Sequence, residues 1–364
     1  MSSGSIVSST CARCRPVKPV SVAAYPRLRA VAFRVAQSIP VVIGVVVISF
    51  LLTRTLPGDP AAYFAGAAAD EASIAEVRKA LGLDKPLIQQ FFIYVGDLMQ
   101  GDLGQSISSG RPVATDLASR LPASLELTLT ALILSCGIAI PLGILAATRP
   151  GSWVDHLCRV LVTAGVSLPT FFTGIVLIYV FYYLLGIAPS PLGRLDFIYL
   201  DPDRVTGFYL IDAALMGDWE TWRGAAKQLI LPAITLALFT LAPIARMTRA
   251  AMLTALSSDF IRTARAAGLS RGTILYGYAF RNALLPVVTT LGMVFSFTLG
   301  ANVLVEKVFA WPGIGSYAVE ALVVSDYAAV QGFVLAMALL FVALNLVIDL
   351  LYTAIDPRIG FSSK

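Results

Sequence analysis

Apolar residues dominate six stretches of the chain: roughly Val35–Thr53, Leu127–Thr148, Val160–Ala188, Leu229–Ala245, Ala283–Val305 and Tyr327–Ile348. Each is long enough to cross a hydrocarbon core as a helix, which takes about 17–25 residues. None alternates apolar and polar positions as a barrel strand does. The pattern predicts an all-α membrane protein with six transmembrane helices.

Between the spans the pattern changes. Leu56-Pro57-Gly58-Asp59-Pro60 is a turn-forming cluster. Ile74, Val77 and Leu81 then recur at helical spacing, which predicts a short amphipathic helix over 70–81, with Gly82 placed to end it. A second short helix is expected over 87–99. The segment 189–224 is aromatic and acidic and reads as short helices and turns. Residues 1–26 lack helical period and are expected to be a disordered basic tail. Domain organisation reads as that tail, a first helix with a large loop region over 27–122, and a transmembrane domain over 123–360 that includes the polar loop 246–282.

Composition supports the membrane reading. The chain is 57% hydrophobic and 13% charged, with mean hydropathy +0.79, where soluble domains carry about 25% charged residues. The distribution of charge sets the orientation. The tail up to Arg34 carries six basic residues and no acid, and residues 246–282 carry six arginines (Arg246, Arg249, Arg262, Arg265, Arg271, Arg281) and one acid, Asp259. Residues 54–120 hold six basic against eight acidic, 189–227 four against six, and 306–326 one against three. Basic loops stay on the cytoplasmic side, so both termini and the arginine-rich loop are expected there. The pI near 9.0 reflects this bias; no basic patch interleaved with aromatics suggests nucleic acid.

Covalent chemistry has few candidates. No G-x-x-x-x-G-K-[ST] loop, H-E-x-x-H or G-x-S-x-G occurs, and His156 is the only histidine. Cys11 and Cys14 form a lone C-x-x-C without the further ligands a zinc site needs. No catalytic or metal site is expected.

The polar loop carries a resemblance. Arg262-Thr263-Ala264-Arg265-Ala266-Ala267-Gly268-Leu269-Ser270 and Arg281-Asn282-Ala283-Leu284-Leu285-Pro286 resemble the EAA loop of ABC-importer permeases in their dipeptide/oligopeptide branch. LPGDP (56–60), GLDKPL (82–87), GDLGQS (101–106), TGFYLID (206–212), LILPAITL (229–236), ARMTRAAML (245–253), WPGIG (311–315), NLVIDLLY (345–352) and DPRIG (356–360) follow in the order that branch has them. The likeness spans roughly Arg27 to Gly360.

This resemblance implies a permease subunit that moves di- or oligopeptides. Its implied partners are a second homologous permease, two ABC ATPase subunits, an extracytoplasmic substrate-binding protein and membrane lipid. No cofactor is implied on this chain; ATP and magnesium would sit on the ATPases. Within the loop, Arg262, Thr263, Ala264, Arg265, Ala267, Gly268 and Leu269 would meet the ATPase, the small residues permitting close approach and the arginines pairing with acids. The same machinery could carry nickel, an opine or an oligosaccharide. An ion-coupled secondary transporter is the rival of another class, but it would show inverted repeats and buried acids in several helices.

Polar groups inside spans mark candidate pathways because lipid makes them costly. Asn302 and Glu306 on the fifth span, with Ser296 and Thr298, and Asn345 and Asp349 on the sixth are such groups. Asn345 and Asp349 could instead cap or pair with a loop arginine. Pro169, with Phe171 and Phe172, should break the third span as a kink or a gate. Trp311, Pro312 and Gly313 read as an interfacial turn or a docking surface for the binding protein.

Overall fold

The structure, a computed structural model, describes residues 25–55, 61, 65, 69–80 and 82–355. The tail with Cys11 and Cys14, the turn at 56–60 and the DPRIG segment lie outside the described residues. The described residues are helical without a named strand: α1 (Tyr25–Thr55), α2 (Glu71–Ala80), α3 (Leu87–Met99), α4 (Val113–Thr148), α5 (Trp153–Ser167), α6 (Thr170–Leu177), α7 (Tyr209–Met216), α8 (Trp219–Leu256), α9 (Asp259–Ala266), α10 (Arg281–Val308), α11 (Ile314–Val323) and α12 (Tyr327–Ile355). Wider π-helical turns continue α6 over Ile178–Leu184 and lead into α10 over Thr273–Phe280.

Among the described residues, four helices are long and apolar enough to cross a membrane: Val113–Thr148, Trp219–Leu256, Thr273–Val308 and Tyr327–Leu351. Of the other two expected spans, the third takes a different form. The first lies within the continuous 31-residue helix α1. The third is cut in two, because Leu168 is extended (φ −108°, ψ 138°) and Pro169 follows with ψ 139°. Proline disfavours the helical conformation in the residue before it, so α5 and α6 are separate short helices. Pro232 and Pro243 lie inside α8 without interrupting it. The domain boundary expected at 122/123 falls inside α4.

The central helix is α8. It packs along α4 and α10 and also meets α5, α6 and α7, while α12 joins α1, α10 and α11. Glycines set the closest approaches. A Cβ on Gly143 of α4 would lie 2.9 Å from the Ala245 carbonyl oxygen, and one on Gly165 of α5 would lie 2.6 Å from that of Leu238. Small residues are what let helix backbones touch where water supplies no hydrophobic drive. Apolar clusters run the length of the bundle, from Leu127, Leu236, Val305 and Trp311 near one end, through Ala139, Ile244 and Val294, to Met252, Ile261, Ala264 and Ala283 beside α9. The end holding α9 is called the arginine-rich end here, and the opposite one the far end.

Candidate functional site

At the arginine-rich end, α9 is a two-turn amphipathic helix. Ile261 and Ala264 are buried against Met252, Ala255, Ile274 and Ala283, while Arg262, Thr263, Arg265 and Ala266 are exposed. Its C-terminus closes as a Schellman turn: the Gly268 amide donates to the Arg265 carbonyl (3.0 Å) and the Leu269 amide to that of Ala264 (3.3 Å). Gly268 has φ +74° with open space around its Cβ position. Glycine is therefore required by the backbone. The expectation that Ala264 offers a small surface to a partner is corrected, since its side chain faces this chain's own core. Ala267, Gly268 and Leu269 remain exposed.

Beside α9 is an open apolar cavity of about 440 Å³, lined by Met247, Ala250, Thr254 and Ala255 of α8, Phe260 of α9 and Pro286 of α10. Asn282 also borders it and donates to the Tyr278 carbonyl at 2.7 Å.

Next to this end, Asp155 in the first turn of α5 is fully buried. It accepts from Arg249 Nε (2.6 Å) and Nη2 (3.0 Å), from Arg159 Nη2 (2.9 Å) and from the Gly151 amide (3.0 Å). Bidentate arginine fixes both position and orientation of a carboxylate. The pair ties the α4–α5 turn to the last turns of α8, just ahead of α9. Hydrogen bonds from Arg249 and then the Gly151 amide hold the Asp155 carboxyl well below the usual carboxylate range. A lowered folded-state pKa gives stability that is present above the unfolded value and lost as pH falls through the folded one. The latch is therefore intact throughout the neutral range. Asp155→Asn should lower the melting temperature at pH 7 and lose that deficit in acid; a deficit that does not vary with pH would contradict the latch.

At the far end, residues 123–126 of α4 hold two loops. Ser124 Oγ donates to Glu306 and accepts from the Ile314 amide (2.9 Å), and Trp311 Nε1 donates to the Ala123 carbonyl (2.9 Å). Glu306 also accepts from Asn302 Nδ2 (3.0 Å) and from the Ser316 amide (2.8 Å). Glu126 pairs with Arg194 and accepts from the Leu210 amide (2.9 Å). Arg194 donates to the Gly207 carbonyl (2.9 Å) and lies 3.5 Å over the Tyr209 ring. Nearby, Asp326 accepts from Ser106 Oγ (2.6 Å) and the Ser108 amide (3.1 Å), fastening the loop ahead of α4 to the start of α12.

These contacts revise three expectations. Asn302 and Glu306 are buried within a packed cluster facing α4 and the 311–316 loop, so neither lines an open path. Trp311 is 1% exposed, an anchor rather than an interfacial residue, and Gly313 is buried too. Pro312 alone of that trio is exposed. Phe171 and Phe172 stand exposed on α6, and Asn345 is exposed on α12, donating to its own helix at the Phe341 carbonyl (2.9 Å). Asp349 is partly buried further along the same helix. The structure thus joins Asn302, Glu306, Trp311 and Gly313, and leaves Pro169, Asn345 and Asp349 outside that cluster. Asp155, Arg249, Glu126 and Arg194 were missed by sequence reasoning. Their one signal was a charge at the edge of an apolar run.

Comparison with known proteins gives this arrangement its context. Residues 139–361 match the family described as binding-protein-dependent transport system inner membrane component, and residues 27–128 match the N-terminal family of the same membrane components. The chain belongs to this permease family. It is 49% identical over 320 residues to the probable D,D-dipeptide transport system permease protein DdpB of Escherichia coli K12, covering 88% of this chain and 94% of that one. It is 42% identical over 330 residues to the di/tripeptide transport system permease protein DppB of Pseudomonas aeruginosa, covering 90% and 98%. The E. coli K12 dipeptide permease DppB matches at 41% over 333 residues, covering 90% and 97%. The chain is accordingly a transport permease subunit and a multi-pass inner-membrane protein, and the family resemblance read from its motifs holds.

Proposed function

We propose that this permease moves di- and oligopeptides through the inner membrane within an ATP-driven importer. A second homologous permease, two ABC ATPases and an extracytoplasmic binding protein complete the assembly, and ATP and magnesium are held by the ATPases. The chain crosses six times, the third time by the broken α5–α6 pair. Both termini and α9 face the cytoplasm.

The observation that carries this reading is α9. A helix with its apolar side seated on the bundle and its other side presenting Arg262 and Arg265, with Leu269 exposed just past its C-terminus, is suited to transmit a push from a partner into α8 and α10. The peptide cargo is supported by the names of the relatives. Drive by nucleotide requires the ATPases to bind the two states of the bundle with different energies, and a rocking bundle is one such two-state element.

Two substitutions separate surface from backbone at α9. Arg265→Glu should leave insertion and basal ATP hydrolysis intact while abolishing peptide uptake by the reconstituted complex. Gly268→Ala strains the left-handed cap by about 1–2 kcal/mol, whereas Gly268→Asn tolerates that conformation but adds bulk. Impaired coupling in both glycine variants supports a partner packed at this turn. Full uptake by Arg265→Glu would overturn the assignment of α9.

A further inference from the structure

We infer that α3 is an interfacial membrane helix, lying in the headgroup–acyl boundary of the leaflet at the far end and bound there by phospholipid rather than by protein. This goes beyond the transport reading and does not depend on the cargo.

At 3.6 residues per turn, the side chains of α3 fall into three sectors about 120° apart. One sector faces the protein: Gln90 is buried, its Nε2 donating to the Lys85 carbonyl (2.7 Å) and the Leu83 carbonyl (3.2 Å), with Phe91, Tyr94 and Leu98 beside it. The second is exposed and mostly polar, with Gln89, Asp97 and Gln100 around Ile93, which is 42% exposed. The third is apolar and outward. Ile88, Phe92 and Met99 are 72%, 68% and 85% exposed, with Val95 between them. A helix in water against a protein needs two faces. A third, apolar face turned away from the protein fits a helix with bundle on one side, water on another and hydrocarbon on the last.

The height of α3 along the bundle agrees. Phe50 of α1 contacts the Phe91 ring edge-on (centroids 5.3 Å) and stacks on Tyr94 (5.8 Å). The apolar stretch of α1 runs to Thr53, and Arg54 follows it directly, its guanidinium 5.3 Å from the Phe50 ring. So α3 touches α1 at the level where that helix leaves the hydrocarbon. Ile48 and Leu51 of α1 are themselves exposed, and Phe91 passes the aromatic contact on to exposed Phe92 (5.9 Å). The apolar flank of α3 is therefore at the depth of acyl chains, with an arginine one turn beyond, at headgroup height.

The test uses nitroxide labels at single cysteines, Phe92→Cys and Gln89→Cys, after the four native cysteines are replaced by alanine. The complete transporter is reconstituted in phospholipid vesicles, and uptake confirms that each labelled complex works. Collision with lipid-soluble oxygen and with a water-soluble nickel chelate is read at each position. The inference expects position 92 to favour oxygen several-fold over position 89, with the order unchanged when the binding protein is added. Protection of position 92 from both reagents would mean that a second permease covers it, and would overturn the inference. Free access of nickel to position 92, or protection appearing only with the binding protein, would overturn it as well.

Discussion

Arg194→Ala should destabilise the far end of the bundle by about 3–5 kcal/mol, the usual cost of stripping a buried charge of its partner. The Arg194 and Glu126 side chains are only 6% and 5% exposed. Without the guanidinium, the Glu126 carboxylate keeps the Leu210 amide alone, and the Gly207 carbonyl loses its donor. The loss should show as an early thermal transition in detergent, with the 189–218 loop cleaved first under limited proteolysis. The double variant Glu126→Gln with Arg194→Met should recover much of the stability, because it removes both charges together. A single variant that melts within about 0.5 kcal/mol of the native protein, as ordinary surface changes do, would show that the pair holds nothing.

Gly313→Ala should cost nearly as much by a different route. The new Cβ would sit 2.2 Å from the Glu306 carboxyl carbon, so that carboxylate must move. Its position is fixed by Ser124, Asn302 and the Ser316 amide, and each buried polar group left unpaired costs about 1–3 kcal/mol. The 311–315 loop is anchored to α4 through Trp311 and Ile314, so displacing it should also weaken stimulation of ATP hydrolysis by the binding protein while basal hydrolysis persists. Pro312→Ala, at the exposed neighbour, should be close to neutral. Wild-type stability and stimulation in Gly313→Ala would refute the anchored-loop account.

These residues also mark how far a one-dimensional pattern reaches. Gly268 was legible, since a lone glycine closing a short amphipathic run is a helix-stop signal, and its positive φ supplies the reason. Glu306 stood out as an acid at the end of a span, but its role was misread. A buried polar residue in an apolar run looks the same whether it faces a pathway or a neighbouring helix, and only Ser124, 182 residues away, decides which. Trp311 was misread for the same reason: a tryptophan near a span end suits the interface until the Ala123 carbonyl claims its N–H.

Apolar run length and loop charge, read along the chain, were enough to fix the all-helical membrane class, and the motif order was enough for the family. Both are local quantities: a helix satisfies its own backbone, and a basic loop is held back by its own charge. The tertiary structure decided what is pairwise and distant. It placed Pro169 between two short helices, turned Ala264 inward, gathered Glu126, Arg194, Ser124 and Glu306 at one end, and set Asp155 against Arg249 at the other. Such contacts depend on which faces meet across the bundle, and helix packing, set by small residues such as Gly143 and Gly165, determines those faces.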